Sequence, residues 1–356
     1  MAKSVFQPIY EDLLSRIQDG RLLPGMPLPS ENALAVQYGT SRPTIRRAIG
    51  LLVEKSLVIR QPGIGSIVAS QPRSNKERKL KIGIDWNPSE SFHNTAFYSD
   101  KLLSGILAAA EPHGHTVKFL PRTHRELYAK ELDGIILTSI LPTSEEESSY
   151  VTLAKQGIPV VLLNRFPVSK ELSYISVDYY KETYRVIDRM IRNGARRIAL
   201  YGPDGYHLMQ FSGRVAAWQD AHRANGIPVD PELTVRNSLP ESMEKFIHVL
   251  KNNPPDVIFI LHGNNTLSLM PVISSLHIRI PEELSLFCFD DIAELGETMK
   301  IPFSFIKMPL KQMGERAVNY IDYAACLRDF YRLSGAAPLK EIASASVEVK
   351  ECRFLI

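Results

Sequence analysis

From Lys81 onward the chain alternates short apolar runs with stretches of helical periodicity, and this rhythm limits its fold more than any other feature. The strand candidates are KIGIDW, TVKFL, DGIILTS, IPVVLLN, RIALYG, DVIFIL and LSLFCFD. Helices are expected between them at 97–112 and at about 145–156, 180–193, 209–225, 241–252 and 266–277. In the first of these, Leu102, Leu103, Ile106, Leu107 and Ala110 recur at helical spacing. Repeated strand–helix–strand units imply parallel sheet, because parallel strands need a crossover and the helix supplies it while covering a face. Seven such strands exceed one comfortable open sheet, so residues 81–356 are expected to form two α/β lobes. Ligands of such folds bind at the carboxyl ends of strands, and a cleft between lobes is a favoured place.

Residues 1–70 follow a different pattern, compact and helical, and close in a hairpin. QPRSNKERKL at 71–80 has almost nothing to bury and reads as a linker. A first helix at 8–19 sets Tyr10, Leu13, Leu14 and Ile17 on one side. PGMPLPS, with three prolines and a glycine, cannot be helical. Ser30 is placed to cap a second helix, Glu31–Tyr38, which Gly39 ends. A third helix opens at Thr40 or Ser41 with Pro43 in its first turn, where a missing N–H costs little. Its Ile45, Ala48, Ile49 and Leu52 follow the i, i+3, i+4, i+7 rule and must face a core. Pro43, Arg46, Arg47 and Gly50 fall on the opposite arc, with Arg42 and Thr44 flanking it near the N-terminus. Arginine can grip guanine O6 and N7 together, and hydroxyls suit phosphates. A charged solvent face would show the same arc. LVIRQPGIGSIVAS then reads as two strands forming a wing, with Gln61 and Gly63 to Gly65 at its tip. Glycine there lets backbone approach DNA, though a plain hairpin also uses it.

Charge is divided between the two parts. Residues 1–81 hold 13 Lys/Arg against 6 Asp/Glu, and the remainder holds 29 against 33. A basic head on a mildly acidic body suits an anionic polymer bound at one end. No apolar run is long enough to span a membrane, and the first residues lack an export signal, so a cytoplasmic protein is expected. Cys288, Cys326 and Cys352 have no metal-ligand spacing, and His93 has no second ligand near it. P-loop, GxSxG and HExxH signatures are missing, so no catalytic residue, cofactor or metal is expected.

PIYEDLLSRIQDG, PGMPLPSENALAVQYGTSRPTIRRAI and GIGSIVA together resemble the GntR-type winged helix-turn-helix. They carry its PG-x-x-LPSE element, SR-x-T-x-R recognition helix and G-x-G-x-x-V wing across nearly all of residues 6–69. The resemblance implies an α+β domain bound as a homodimer to a palindromic operator. It points to Ser30, Glu31, Ser41, Arg42, Thr44, Arg46, Gln61 and Gly63 at the DNA, to which the helical arc and wing tip add Arg47 and Gly65. Asn32 and Pro43 depart from the pattern and should alter base preference.

The body is similar to another family. KIGI, DGIIL, GIPVVLLNR, YISVDYY, NGARRIALYG, GRVAAW, LSLFCFDDI and KMPLKQMGERAV, in this order over residues 81–353, resemble a LacI/GalR-type sensor. That implies a two-lobed α/β domain of the type I periplasmic-binding-protein kind. Its effector candidates are Arg214 in GRVAAW, Asp290 in CFDD, Asn264 and Asn265 after VIFIL, and Arg165 after VVLLN. Phe92, His93 and Tyr98, around the first helix start, are candidates to stack on or contact a sugar, with Phe97 beside them. A surface ion pair for Arg214, helix capping for Asp290 and core packing for the aromatics are the alternatives. The pairing resembles the arabinose-responsive repressors of Gram-positive bacteria. It implies a repressor of carbohydrate-utilisation genes released from operator DNA by a small sugar or sugar phosphate. A co-repressor arrangement, a non-sugar metabolite and an enzyme-like body are the rival readings.

Overall fold

The computed structural model describes residues 6–18, 21–22, 26–55, 57–61, 65–69, 79–85, 96–120, 131–138, 144–203, 209–331 and 338–355. The chain forms two compact units, each drawn from separated stretches. One comprises Met1–Pro88, Leu102–Ser176 and Lys311–Glu341; the other comprises Ser89–Lys101, Val177–Leu310 and Ile342–Ile356.

The first unit opens with the winged helix: α1 (Phe6–Gln18), α2 (Glu31–Gln37), α3 (Arg42–Glu54) and the antiparallel strands β1 (Val58–Gln61) and β2 (Gly65–Val68). Ser30 Oγ accepts from Ala33 N at 3.1 Å, so α2 begins where its cap requires. Gly39 takes φ +59°, the left-handed turn that ends the helix. Pro27 and Pro29 hold the chain extended, and Met26–Leu28 runs beside β2 through Leu28 N to Ser66 O and Val68 N to Met26 O. Ile45, Ala48, Ile49 and Leu52 of α3 are fully buried against Leu13, Ile17 and Leu34. Each large aliphatic side chain in that seam contributes about 1.5–3 kcal/mol of burial.

This unit also contains a six-stranded sheet in the order β13-β7-β6-β5-β3-β4. Its strands are β3 (Lys81–Asp85), β4 (Thr116–Leu120), β5 (Gly134–Leu137), β6 (Val160–Leu163), β7 (Ser173–Ser176) and β13 (Lys340–Ile342). The pairings from β4 through β7 are parallel, and β5 and β6 are buried throughout, as apolar runs covered on both faces must be. Among the described residues, helices α4 (Ala96–Ala110) and α5 (Ser144–Lys155) supply crossovers between its strands. The long helix α11 (Leu310–Tyr331) meets α4 backbone to backbone: a Cβ at Gly105 would overlap the Lys311 carbonyl, and one at Gly314 the Leu102 carbonyl. Farther along α11, Tyr323 enters the winged-helix core and donates its hydroxyl to Ile17 O at 2.7 Å.

The second unit carries the sheet β14-β12-β11-β10-β8-β9. Its strands are β8 (Ile198–Gly202), β9 (Thr234–Arg236), β10 (Val257–Ile260), β11 (Ser285–Cys288), β12 (Ser304–Lys307) and β14 (Ser346–Glu348). Only the β12–β14 pairing in this sheet is antiparallel. Its helices are α6 (Tyr179–Arg192), α7 (Met209–Ala224), α8 (Pro240–Asn252), α9 (Asn265–Ser275) and α10 (Ala293–Met299). Phe259 and Phe287, on adjacent central strands, stack at 5.6 Å inside the core.

All seven strand candidates are strands. β7, β9, β12, β13, β14 and the helices α10 and α11 were not foreseen, and Leu107, placed on the apolar stripe of α4, is 46% exposed. Among the described residues no helix is long and apolar enough to cross a membrane. Of the 71–80 stretch, only Lys79 and Leu80 lie within the described residues.

Candidate DNA interface and effector site

On the winged helix, the start of α2, the recognition helix α3 and the wing line one groove of about 610 Å³. Ser30, Glu31, Arg42, Arg46 and Gly65 all border it, as does Arg60, which the sequence reading passed over. Arg46 holds Glu31 with both arms of its fork, Nη2 to Oε2 at 2.9 Å and Nε to Oε1 at 3.2 Å. Arg42 stands 3.8 Å from the same carboxylate. The hydrogen bonds from Arg46, aided by the charges of Arg46, Arg42 and Arg60 and opposed by partial burial, hold the Glu31 carboxyl below its ordinary range. Arg42 and Arg46 keep 58% and 57% of their side chains exposed, so both can reach a polyanion laid in the groove.

Ser41 precedes α3 and makes no side-chain cap; its hydroxyl lies 2.9 Å from that of Thr44. Two hydroxyls therefore share one helix end, an arrangement that suits phosphate oxygens. Arg47 is exposed but is turned to α1, with its guanidinium 4.2 Å from the Phe6 ring centre. Gly65 has φ +114° and nothing within 4 Å of where a Cβ would stand, so the backbone conformation is what asks for glycine there. Gln61 is paired with Gly65 in the wing, while its side chain and all of Gly63 lie outside the described residues.

In the second unit, Arg214 of α7 is 4% exposed. Its guanidinium lies 3.7 Å from the ring centre of Phe289 and 4.7 Å from that of Tyr179, and Nη1 donates to Leu261 O. Asp290 Oδ2 accepts from Gly263 N at 2.7 Å and is 3.8 Å from His262 Nε2. Asn264 N donates to His262 Nδ1 at 3.3 Å, which leaves the proton on Nε2, toward Asp290. Burial pushes the His262 imidazole down; Asp290 opposes this and the Arg214 charge adds to it. Asp291 does the work at the helix start, accepting from Ala293 N at 3.3 Å and from Lys101 Nζ at 2.8 Å, so Asp290 is left to the 261–265 loop.

Asn264 immediately precedes α9, and Asn265 Oδ1 accepts from Asn237 Nδ2 at 3.3 Å. The Asn265 Nδ2 is buried and has no hydrogen-bond partner among the described residues. Arg214 and Asp290 thus bind the loop at the carboxyl end of β10 that carries Asn264 and Asn265, joined by His262, Tyr179 and Phe289, which were not among the candidates. Tyr179 and Phe289 sit inside motifs already noted, YISVDYY and LSLFCFDDI; only a fold can bring them to one guanidinium. Arg165 belongs to the other unit, partly buried just beyond β6 and after Asn164 at φ +58°. Phe92 and His93 lie outside the described residues, as does the side chain of Tyr98 in α4.

Comparison with known proteins agrees with both halves. Residues 6–68 match the gntR family of bacterial regulatory proteins, and residues 187–324 match the periplasmic binding protein-like domain. The chain therefore joins a GntR helix-turn-helix to a periplasmic-binding-protein-like body, the build of a DNA-binding transcription regulator. Over 336 residues it is 26% identical to an arabinose metabolism transcriptional repressor of Halalkalibacterium halodurans, covering 88% of this chain and 87% of that one. With the repressor of the same name from Geobacillus stearothermophilus the identity is 24% over 340 residues, 88% and 89% of the two chains. The transcription regulator CcpA of Lactococcus lactis shares the fold of the body, with TM-score 0.61 at 14% identity, covering 77% of this chain and 99% of that one.

Proposed function

We propose that this protein is an operator-binding repressor of carbohydrate-utilisation genes, released by a small sugar, and that it is a regulator rather than an enzyme. The observation that carries the sensing half is the buried Arg214 fork, resting against two rings, and the Asp290 carboxylate, both bound to the 261–265 loop. A guanidinium and a carboxylate, both fixed by protein contacts, are the donor and acceptor that neighbouring sugar hydroxyls require. Arabinose is the first candidate, from the names of the relatives above. Arg42 and Arg46 read base edges, Ser30, Ser41, Thr44 and Arg60 meet phosphates, and the wing follows the groove. The protein acts in the cytoplasm as a homodimer whose two heads match a palindromic site. Sugar binding favours one arrangement of the body, and the DNA-competent arrangement of the heads loses population.

A thermal-shift screen of pentoses, hexoses and sugar phosphates tests the sensing half. A ligand at a hundred times its Kd should stabilise the native state by about 2.7 kcal/mol. The Asp290→Ala variant should lose that shift and still bind operator DNA. Turnover of a sugar by a protein with no affinity for its own upstream DNA would establish the enzyme reading instead.

A further inference from the structure

We propose that the second unit carries another ligand site, for a small hydroxylated anion of the phosphate or carboxylate class. It is an open cavity of about 810 Å³ at the amino end of β8, the opposite end of the sheet from Asp290. Its walls come from the end of α6, the segment leading into β8, the last turns of α7 and the 226–233 stretch.

Three guanidinium groups border it, Arg192, Arg196 and Arg197, against one carboxylate, Asp230. Both arms of Arg197 are engaged, Nη1 by Asp230 at 3.2 Å and Nη2 by the Asn253 carbonyl at 3.2 Å, so it offers no open arm to a ligand. Arg196 is anchored through Nη1 to the carbonyls of Ile191 and Ala195, at 2.9 and 3.0 Å, and no described residue takes its Nη2. Arg192, 70% exposed, uses only Nε on Asp188. The forks of Arg192 and Arg196, held at one side, present the other to planar or tetrahedral anions.

His222 adds the second, independent observation. It lines the cavity although it is only 2% exposed. Its Nδ1 is 2.7 Å from Trp218 O, and a carbonyl can only accept, so the proton sits on Nδ1. Nε2 is left a lone-pair acceptor with no hydrogen bond among the described residues, on a ring braced by Trp218 at 4.6 Å. Burial holds this imidazole below its ordinary range and keeps it neutral. A neutral acceptor beside the open arms of Arg192 and Arg196 selects an anion that also brings an O–H. Phosphorylated or carboxylated polyols meet both demands.

The test uses full-length protein labelled with carbon-13 histidine, with the His222 imidazole peak identified by its loss in His222→Gln. Because this signal reports one side chain, anions collecting on the arginines of the winged helix do not contribute. Inorganic phosphate, which keeps a P–OH at neutral pH, should move the peak saturably. Sulfate, which has none, should bind roughly threefold to tenfold more weakly, the worth of one hydrogen bond. Arg192→Met and Arg196→Met should weaken phosphate by about tenfold each, with the melting curve of each variant showing that it is folded. No saturable shift, equal response to sulfate, or indifference to both arginine variants would overturn the assignment.

Discussion

Replacing Arg214 with methionine separates what this side chain does for the fold from what it does for a ligand. Methionine keeps an unbranched stem of similar length and places a polarizable sulfur against Phe289 and Tyr179, where the guanidinium lies at 3.7 and 4.7 Å. The variant loses the hydrogen bond to Leu261 O, about 1.5–3 kcal/mol for a charged donor, and two ring contacts worth about 1–2 kcal/mol together. It is spared the burial of a cation, a penalty of several kcal/mol that those contacts offset. The net loss of stability should be small, about 1–2 kcal/mol, and at ~2–4 °C per kcal/mol the melting temperature should fall by only a few degrees. Effector binding should fare far worse, since two charge-assisted hydrogen bonds to a ligand amount to roughly a hundredfold or more in affinity. The assay is calorimetric titration with the sugar that best stabilises the wild type, alongside operator affinity without sugar. Unchanged sugar affinity with a melting temperature lowered by tens of degrees would show Arg214 to be a structural brace and refute the reasoning.

Arg46→Ala should weaken operator binding by roughly tenfold to a hundredfold in an anisotropy titration, with sugar affinity and melting temperature unchanged; equal DNA affinity would remove it from the interface. Gly105→Ala must push α4 and α11 apart and should cost about 1–3 kcal/mol by urea denaturation, whereas Gly50→Ala, in a helix with open space around it, should gain about 0.5–1 kcal/mol. Opposite signs are expected, and the same sign for both would contradict the packing of α4 on α11. Stability should also fall on acidification: His222 and His262 are both held below the unfolded value of 6.5, so the unfolded chain takes up protons first. Their contribution is complete above that pH and is lost progressively as pH falls toward the folded values. Denaturation midpoints at pH 7.5 and 5.5 check this, and His222→Gln should flatten part of the slope.

The winged helix could be read from sequence because local rules all agreed there: a cap at Ser30, a turn at Gly39, a proline where a helix begins, and an apolar seam through Ile45 and Leu52. The central strands were legible for a related reason, being continuous apolar runs that only burial on both faces explains. Strands such as Thr234–Arg236 and Lys340–Ile342 are three residues long and partly exposed, so they carry no periodic signal. Helix α11 begins within the KMPLKQMGERAV motif, and its most consequential contact, Tyr323 to Ile17, spans 306 positions of sequence and leaves no local signal. Arg60 looked like any outward residue of a wing strand until Glu31, far off in sequence, stood across the groove. Arg214 and Asp290 were found by resemblance; their binding to one loop through Leu261 O and Gly263 N, with His262 between, is tertiary and leaves no trace in spacing. The site that borders His222 was missed because its arginines, at 192, 196 and 197, sit in a helix end and turn where surface charge is ordinary.

In the proposed function one chain both reads DNA and senses a sugar, and the two events are coupled. The most direct measurement is the affinity of the full-length protein for its own upstream DNA, at fixed salt, with and without saturating arabinose or the best sugar of the thermal screen. Tight, salt-dependent binding is expected, which sugar weakens by about tenfold or more, a coupling of ~1–3 kcal/mol. Operator affinity that no sugar able to bind the protein alters in that direction would contradict it.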